Sequence, residues 1–485
     1  GDRRLPPAGG KRSAECIFYN IKLLREYEMK KKVDLLHEPI LPGLTRLAVP
    51  IMATSLVQMA YNLTDMAWIG RLGAGAVTAV GTAGMYSWLS QGIVDLAKIG
   101  GQVKVAHALG AGNEKDAAQY AKCAIQMGLL FAVMFGLISF FGAKYLIGFF
   151  GLKDPVIIAN SQNYLRIVCG LILFPYINSV LTGILTANGD SKTPFKANVI
   201  GLAANMVLDP VLIFGIGPFP AMGVVGAAVA TVTAQITVSF IFILAVRKEE
   251  VLFGSFRLFT VTPVRYIKEI VTIGFPASIQ NLIYASISMV LTRLVTGWGD
   301  TAVAIQRVGG QVESVSWMVG EGFAAAVNSF TGQNFGAGLF DRVKKGFSVA
   351  VKMMGIWGLM TTSLLIFLAE PIFSIFIREP DVLGAGVEYL RILGLSQFFM
   401  LIELTSIGAF AGLGKTSIPS VLSIILTSAR IPLAIVFSSM GLGLNGIWWA
   451  LTVSSVAKGI IFYIAYKMTL RKVEKRMGPG LQKTT

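Results

Sequence analysis

Long apolar stretches are the feature that most constrains how this 485-residue chain can fold. Runs such as 125–142 and 421–444 approach or exceed the roughly 20 apolar residues that a helix needs to cross a bilayer. Similar runs recur along the chain, in which 54% of the residues are hydrophobic and only 14% are charged. Backbone groups in lipid must bond to one another, and the sequence lacks the alternation of barrel strands. It therefore predicts membrane-spanning helices.

Reading the apolar runs between polar, Gly-rich or Pro-rich connections predicts an all-α polytopic membrane protein with twelve transmembrane helices. The predicted spans are 45–70, 76–100, 119–150, 163–187, 195–216, 223–246, 268–296, 301–325, 344–369, 388–411, 418–440 and 443–468. Lys and Arg concentrate in alternate connections and in both tails, which accounts for much of the net charge of +16. This bias predicts a multi-pass protein of the inner (plasma) membrane with both termini in the cytoplasm.

The predicted organisation is two six-helix bundles joined by a polar segment. Residues 29–246 form the N-terminal bundle, 247–267 a cytoplasmic linker, and 268–468 the C-terminal bundle; 469–485 are expected to be a basic cytoplasmic tail. Residues 1–28 are polar and basic without the apolar core of a signal peptide. Because Met29 and the lysines after it resemble a natural start, this extension is predicted to be non-native or disordered.

The two halves repeat one another. A shift of 226 residues places Pro50 on Pro276, and a shift of 225 places Tyr164 on Tyr389. Three glycine-containing positions also match, at 73 and 299, 84 and 310, and 110–112 and 336–338. An even number of helices per half makes the repeat parallel, around an axis along the membrane normal. Such a repeat predicts a central substrate cavity between the bundles.

Two loops carry a resemblance to a known family. The sequence Gly110-Ala111-Gly112-Asn113 and the stretch NGDSKTP at 188–194, together with the Pro-containing first span, resemble the multidrug and toxic compound extrusion (MATE) family. The resemblance covers about residues 40–468. It implies an antiporter that expels organic cations, drugs or toxic metabolites by alternating access, in exchange for H⁺ or Na⁺. The pattern of Asp65, Asn205 and Asp209 is similar to the DinF-like branch, which implies an ion site in the N-terminal half.

Polar side chains inside predicted spans locate a candidate ion-coupling site. Asp65 on the first span, Asp209 on the fifth and Thr231 on the sixth are expected at a similar depth, about 7–12 Å from the outer surface. Asn205 lies one turn before Asp209 and on the same face. Two carboxylates, an amide and a hydroxyl suit Na⁺, for which Asp65 and Asp209 would be the metal ligands. The same carboxylates could share a proton, so the sequence does not choose between the ions. The resemblance adds Asn178 on the fourth span.

Each of these residues also has a purely structural interpretation. Asp65 could end its helix at the membrane surface near Arg71, and Asp209-Pro210 is also a turn signal. Asn178 could make an ordinary structural hydrogen bond. Pro50 lacks the helical N–H and should kink the first span. The resemblance implies that this helix bends on protonation, which makes Pro50 a candidate hinge, whereas a static kink is the alternative.

The C-terminal half offers five further candidates for the substrate cavity: Gln280, Tyr284, Glu313, Glu403 and Arg430. Gln280 and Tyr284 lie one turn apart on the seventh span and could face substrate or pack. Glu403 and Arg430 lie near mid-span. Because an unpaired buried charge is very costly, Arg430 is predicted to pair with Glu403, in a structural or a cavity-lining role.

The sequence also excludes several classes of function. No nucleophile elbow, paired-metal cluster or complete phosphate loop is present, so no enzyme and no cofactor are expected. The basic residues are attributed to membrane orientation and not to nucleic acid. The expected partners are the bilayer and small, cationic organic substrates, and a monomer is expected. The alternative is an exporter that resembles a lipid-linked saccharide flippase. Such proteins usually have a basic cavity, whereas the buried charges expected here are acidic.

Overall fold

The computed structural model describes residues 32–254, 258, 260–376 and 379–477. The predicted N-terminal extension and residues 478–485 of the predicted tail lie outside the described part. All regular elements within it are helical. The N-terminal half contains α1 (Ile40–Gly70), α2 (Ala74–Gly110), α3 (Glu114–Gly148), α4 (Pro155–Val168), α5 (Leu173–Ala187), α6 (Lys192–Phe214) and α7 (Gly223–Val246).

A short helix, α8 (Glu250–Phe253), precedes the C-terminal half. That half contains α9 (Val264–Thr296), α10 (Asp300–Gly336), α11 (Phe340–Phe367), α12 (Ala369–Ser374), α13 (Pro380–Gly394), α14 (Gln397–Gly412), α15 (Ser417–Ser428), α16 (Arg430–Phe437) and α17 (Leu444–Met477). One π-helical turn, Ser438–Leu442, follows α16. Helix α17 runs past residue 468, so the beginning of the predicted tail continues the last helix.

The described helices account for the predicted spans. Eight spans are long and apolar enough to cross a membrane, and the bent pairs α4–α5 and α13–α14 raise the number to ten. Helices α2 and α10 are more polar, but their 37 residues each exceed the length that a bilayer requires. They complete a twelve-helix, two-bundle architecture, which confirms the predicted fold class. The sequence did not predict the bends, which are 46° in the fourth span and 45° in the tenth.

Helices α1 and α9 pass from one half of the molecule to the other. The beginning of α1 packs with Phe323 and Phe410 of the C-terminal half, whereas Ile69 near its end packs with Tyr164 of the N-terminal half. Helix α9 does the reverse, because Ile270 joins the core of the N-terminal half and its later residues join the core of the C-terminal half. Pro50 and Pro276 lie inside these two helices, which run uninterrupted through them.

The halves meet closely at the end of the bundle where α1 and α9 begin, here called the closed end. A Cβ on Gly110 would lie 2.0 Å from the carbonyl oxygen of Gln333, and one on Gly336 would lie 2.2 Å from that of His107. Such approaches require glycine, because any side chain would overlap backbone atoms. The repeat relates Gly110 to Gly336 and His107 to Gln333, so the crossing of α2 and α10 is pseudo-symmetric.

Among the hydrogen bonds near this crossing, two are also related by the repeat. His107 Nε2 lies 2.6 Å from the carbonyl oxygen of Gly412, and Gln333 Nε2 donates to the carbonyl oxygen of Ala187 at 2.6 Å. Each bond joins one half to the last residue of a helix in the other half, α14 or α5. We call this pair of bonds the clasp. It holds the two bundles together at the closed end.

The linker between the halves packs on the N-terminal bundle. Leu252 and Phe253 of α8 join its core. Gln126 on α3 donates to the carbonyl oxygen of Thr260 at 2.9 Å, and Lys122 donates to the Thr260 hydroxyl at 2.7 Å. The segment before α9 is therefore attached to α3. Residues 255–257 and 259 of the predicted linker lie outside the described residues.

Candidate functional site

Four helices of the N-terminal half bring the predicted ion-coupling residues together. Helix α6 packs against both α1 and α7, and α4 packs against α7. Asp65 faces this junction from α1, Asn205 and Asp209 from α6, and Thr231 from α7. Asn205 and Asp209 are each 1% exposed, and Asp65 is half-buried. The structure thus brings the four residues together at one junction of helices.

The centre of the site is a pair of carboxyl groups. The side chains of Asp65 and Asp209 lie close enough to interact directly. Two ionised carboxylates repel each other at close range, so this arrangement suits a proton or a small cation held between them. Asp65 Oδ1 is also buried, and no hydrogen-bond donor among the described residues reaches it. The site therefore has a free acceptor atom that a small cation could satisfy.

Asn205 connects the carboxyl pair to the third helix. With its amide oriented to satisfy both neighbours, Nδ2 donates to Asp209 Oδ2 at 2.8 Å and Oδ1 accepts from the backbone N–H of Thr231 at 3.1 Å. Asp209 is thus fixed by a side chain one turn earlier on its own helix. The Thr231 hydroxyl supplies a further oxygen on the α7 side of the site.

Two tyrosines belong to this site and were not predicted. The Tyr61 hydroxyl lies 3.5 Å from the Thr231 hydroxyl, at the long limit of a hydrogen bond. Tyr164, 7% exposed on α4, places its hydroxyl near that of Thr231 and within electrostatic range of Asp65. Tyr61 precedes Asp65 by one helical turn, so its spacing could have identified it. Tyr164 depends on the bend of the fourth span, which has no clear sequence signal.

The geometry around the two aspartates differs from what their purely structural interpretations expected. The Arg71 guanidinium stacks over the Trp68 ring, 4.5 Å from its centroid, while Asp65 faces Asp209. The Asp209-Pro210 pair does not form a turn, because α6 continues to Phe214 and ends at Gly215, whose φ is 74°. Both carboxyl groups therefore lie inside helical spans.

Asn178 has partners other than the carboxyl pair. Its Nδ2 donates to the carbonyl and side-chain oxygens of Gln235, each at 3.0 Å, and its Oδ1 accepts from Ser239 at 2.8 Å. These partners lie one and two turns beyond Thr231 along α7. The amide thus ties α5 to α7.

The predicted partner of Glu403 was wrong. Glu403 pairs with Lys458 of α17 at 2.9 Å, and both side chains are at least 94% buried. Arg430 instead donates to two hydroxyls of α17, to Ser454 at 3.2 Å and to Ser455 at 3.0 Å. The error arose because Lys458 lies inside a long apolar run. A single lysine there does not show which neighbouring helix it faces.

The other C-terminal candidates lie around this charged group. Gln397 donates to Glu313 at 3.2 Å, and Arg430 is within electrostatic range of Glu313. Tyr389, the repeat partner of Tyr164, is buried near Glu313 and Tyr284. Tyr284 is 39% exposed and thus accessible beside this group. Gln280, one turn earlier on α9, is half-buried.

The two halves therefore differ in charge balance. In the C-terminal half, Glu313 and Glu403 are accompanied by Arg430 and Lys458, two acids by two bases. In the N-terminal half, no described basic side chain forms an ion pair with the Asp65–Asp209 pair. The repeat thus carries an internally neutral charged group on one side and an acidic pair on the other.

Comparison with known proteins identifies the family. The sequence model of the family described as MatE matches residues 50–211 and again 276–436. The chain belongs to the MatE family. The two matches begin 226 residues apart, which is the period of the repeat. This MatE protein is a multi-pass membrane transporter and not an enzyme, as the sequence predicted.

The protein aligns with relatives over nearly the full length of both chains. It is 28% identical over 467 residues to a "Probable multidrug resistance protein NorM" of Thermotoga maritima, covering 94% of this chain and 98% of that protein. It is 24% identical over 453 residues to an "FAD transporter" of Shewanella oneidensis, covering 91% and 97%. A "Multidrug export protein MepA" of Staphylococcus saprophyticus is 22% identical over 453 residues, covering 90% and 96%.

Solved structures share the fold. An outward-facing multidrug resistance MATE transporter of the MOP superfamily superposes with a TM-score of 0.85 at 23% identity, covering 92% of this chain and 99% of that one. A MOP superfamily transporter from Pyrococcus furiosus, described as having a binding pocket of reverse polarity, gives a TM-score of 0.82 at 23% identity, covering 94% and 99%. The architecture described above is thus that of a MATE transporter.

Proposed function

We propose that this MatE protein is an antiporter that exports small organic cations in exchange for a cation bound between Asp65 and Asp209. The observation that carries the proposal is the contact of these two carboxyl groups, which are deep within the N-terminal half and have no basic ion-pair partner among the described residues. Asn205, Thr231, Tyr61 and Tyr164 complete the site.

The geometry favours a proton as the coupling ion. Two unit charges 4 Å apart repel by about 4 kcal/mol at an effective dielectric constant of 20. At about 1.36 kcal/mol per factor of ten, this repulsion favours retention of one proton on the pair by roughly a thousandfold. Direct contact of the two carboxyl groups is the arrangement that one shared proton produces. The proton would enter from the outer side and leave towards the cytoplasm as cargo is exported.

Sodium is the second candidate for the coupling ion, and an unpartnered carboxyl oxygen supports it. Asp65 Oδ1 is buried without a donor, and Asp209, Thr231 and Asn205 could add further oxygen ligands. Na⁺ is a hard cation that suits such a set. Sodium binding would require the two carboxyl groups to separate, because the ion must replace the proton between them.

A cationic cargo is the class that best fits the exchange. Expelling a cation while admitting one keeps the acidic pair occupied in both directions of the cycle. The charged group of Glu313, Glu403, Arg430 and Lys458 is neutral overall and does not favour an anionic cargo. The names NorM and MepA support multidrug export, whereas the "FAD transporter" shows that a relative can carry an anionic compound.

The proposed arrangement in the cell follows the basic connections. The protein lies in the inner (plasma) membrane as a monomer with both termini in the cytoplasm, so the closed end faces the cytoplasm. The bundles comprise 29–246 and 268–468, and 247–267 links them. Helices α1 and α9 pack on both halves, so relative motion of the halves must bend them. Pro50 and Pro276 are the proposed hinges, because neither supplies a helical N–H.

Efflux of ethidium from proteoliposomes under separately imposed H⁺ and Na⁺ gradients tests the function. We expect an H⁺ gradient to drive efflux, and Asp65→Asn and Asp209→Asn each to lower it at least tenfold. Glu114→Gln, an exposed carboxylate at the start of α3, is the matched control and should retain efflux. Full efflux by both aspartate variants would refute the site. Efflux driven by Na⁺ alone would replace the proton with sodium.

A further inference from the structure

A cavity of about 240 Å³ opens at the closed end, between the beginning of α6 and the end of α7. Its polar lining comes from Lys32, Asp190, Thr193, Lys196, Lys248 and Glu249. Its apolar lining includes Ile241 and Leu244 of α7. A span begins and a span ends at this cavity, so it lies at the boundary between the membrane and water.

The two acids of the cavity already have partners. Asp190 accepts from the backbone N–H of Thr193 at 3.0 Å and from its hydroxyl at 2.6 Å. Glu249 forms an ion pair with Lys32 at 2.5 Å. Lys196 and Lys248 are exposed, and neither has an ion pair among the described residues. The lining thus carries three ammonium groups and two carboxylates, and the ammonium groups of Lys196 and Lys248 are the ones available to an incoming anion.

An apolar surface leads from the membrane into the same cavity. Ile236, Phe240, Ile243 and Leu244 are 42–60% exposed on α7. Their spacing places them along one face of the helix. This face ends at Leu244 in the cavity wall, one turn before Lys248. A ligand with a charged head and a hydrocarbon tail could contact both parts at once.

We propose that this cavity binds an anionic phospholipid, with its phosphate between Lys196 and Lys248 and an acyl chain along the exposed face of α7. Basic pockets between spanning helices at the cytoplasmic surface are suited to anionic headgroups. The apolar face distinguishes a lipid from free phosphate, which could use only the two lysines. The inference does not depend on which ion the carboxyl pair binds.

Native mass spectrometry of the detergent-solubilised protein, titrated with phosphatidylglycerol, tests this site. We expect one tight adduct, weakened about 30-fold in Lys196→Gln/Lys248→Gln, as for the loss of two lysines at about 1 kcal/mol each. The control is Lys144→Gln/Lys153→Gln, which removes two exposed lysines near the end of α3, at the opposite end of the bundle from the cavity. This variant should bind phosphatidylglycerol as the wild type does.

Three results would overturn the proposal. Equal binding of phosphatidylglycerol by the wild type and both double variants would show that the two lysines do not form a site. Equally tight binding of phosphatidylcholine would show that the charge of the headgroup is not recognised. Displacement of phosphatidylglycerol by millimolar inorganic phosphate would identify a phosphate site that does not need the lipid tail.

Discussion

The clasp at the closed end predicts how a distant substitution should shift the conformational equilibrium. His107→Leu with Gln333→Met removes both bonds of the clasp, to Gly412 and to Ala187, while retaining side chains of similar bulk. A hydrogen bond contributes about 0.5–1.5 kcal/mol net, so the pair amounts to about 2 kcal/mol. If these bonds exist only when this end is closed, the double variant should favour the state open at this end by about 30-fold.

Spin labels at the closed end measure this shift directly. Lys115→Cys and Asp341→Cys place labels on exposed positions just after α2 and α10, one on each half. We expect pulsed electron–electron double resonance to show a larger fraction of long distances between the two labels in the clasp variant. Tyr86→Phe is the control, because it removes a bond to the carbonyl of Leu146 at 2.7 Å within a single half. Identical distance distributions in the clasp variant, the control and the labelled parent would refute the role of the clasp.

Three further predictions follow from single contacts. Lys458→Met leaves Glu403 buried and unpaired and should lower the free energy of unfolding by about 3–5 kcal/mol; denaturation in detergent should show most of this loss recovered on adding Glu403→Gln, and no recovery would contradict the pairing. Tyr61→Phe should slow H⁺-driven ethidium efflux about fivefold, the equivalent of about 1 kcal/mol, through loss of a hydroxyl beside the carboxyl pair; unchanged efflux would exclude that hydroxyl. Pro50→Ala and Pro276→Ala should each slow transport without weakening ethidium binding, and normal turnover in both would remove the hinges.

Much of the fold could be predicted because its causes are local in sequence. Apolar length determines a span, Lys/Arg bias suggests its direction, and the 226-residue repeat requires two similar bundles. Pro50 and Pro276 were also visible as a repeated pair. The sequence did not show that α1 and α9 pass between the halves, because this depends on which apolar faces meet in three dimensions.

The candidate site likewise has residues that could be predicted from the sequence and residues that could not. Asp65 and Asp209 could be predicted because a carboxylate within a span is expensive, and because counting from the ends of two spans that run in the same direction gives similar depths. Depth does not determine which way a side chain faces around the helix axis. For that reason Asn178 turned out to bond to Gln235, and Glu403 was assigned to Arg430 when its partner is Lys458.

Proton release on cargo binding tests the central claim most directly. Tetraphenylphosphonium is added to the detergent-solubilised protein in weakly buffered solution containing a pH indicator. If Asp65 and Asp209 hold the proton that is exchanged for cargo, the wild type should release about one proton per bound cation. Asp65→Asn and Asp209→Asn should bind the cation without that release. Equal release by the wild type and both variants would contradict the account, because the exchanged proton would then be held elsewhere.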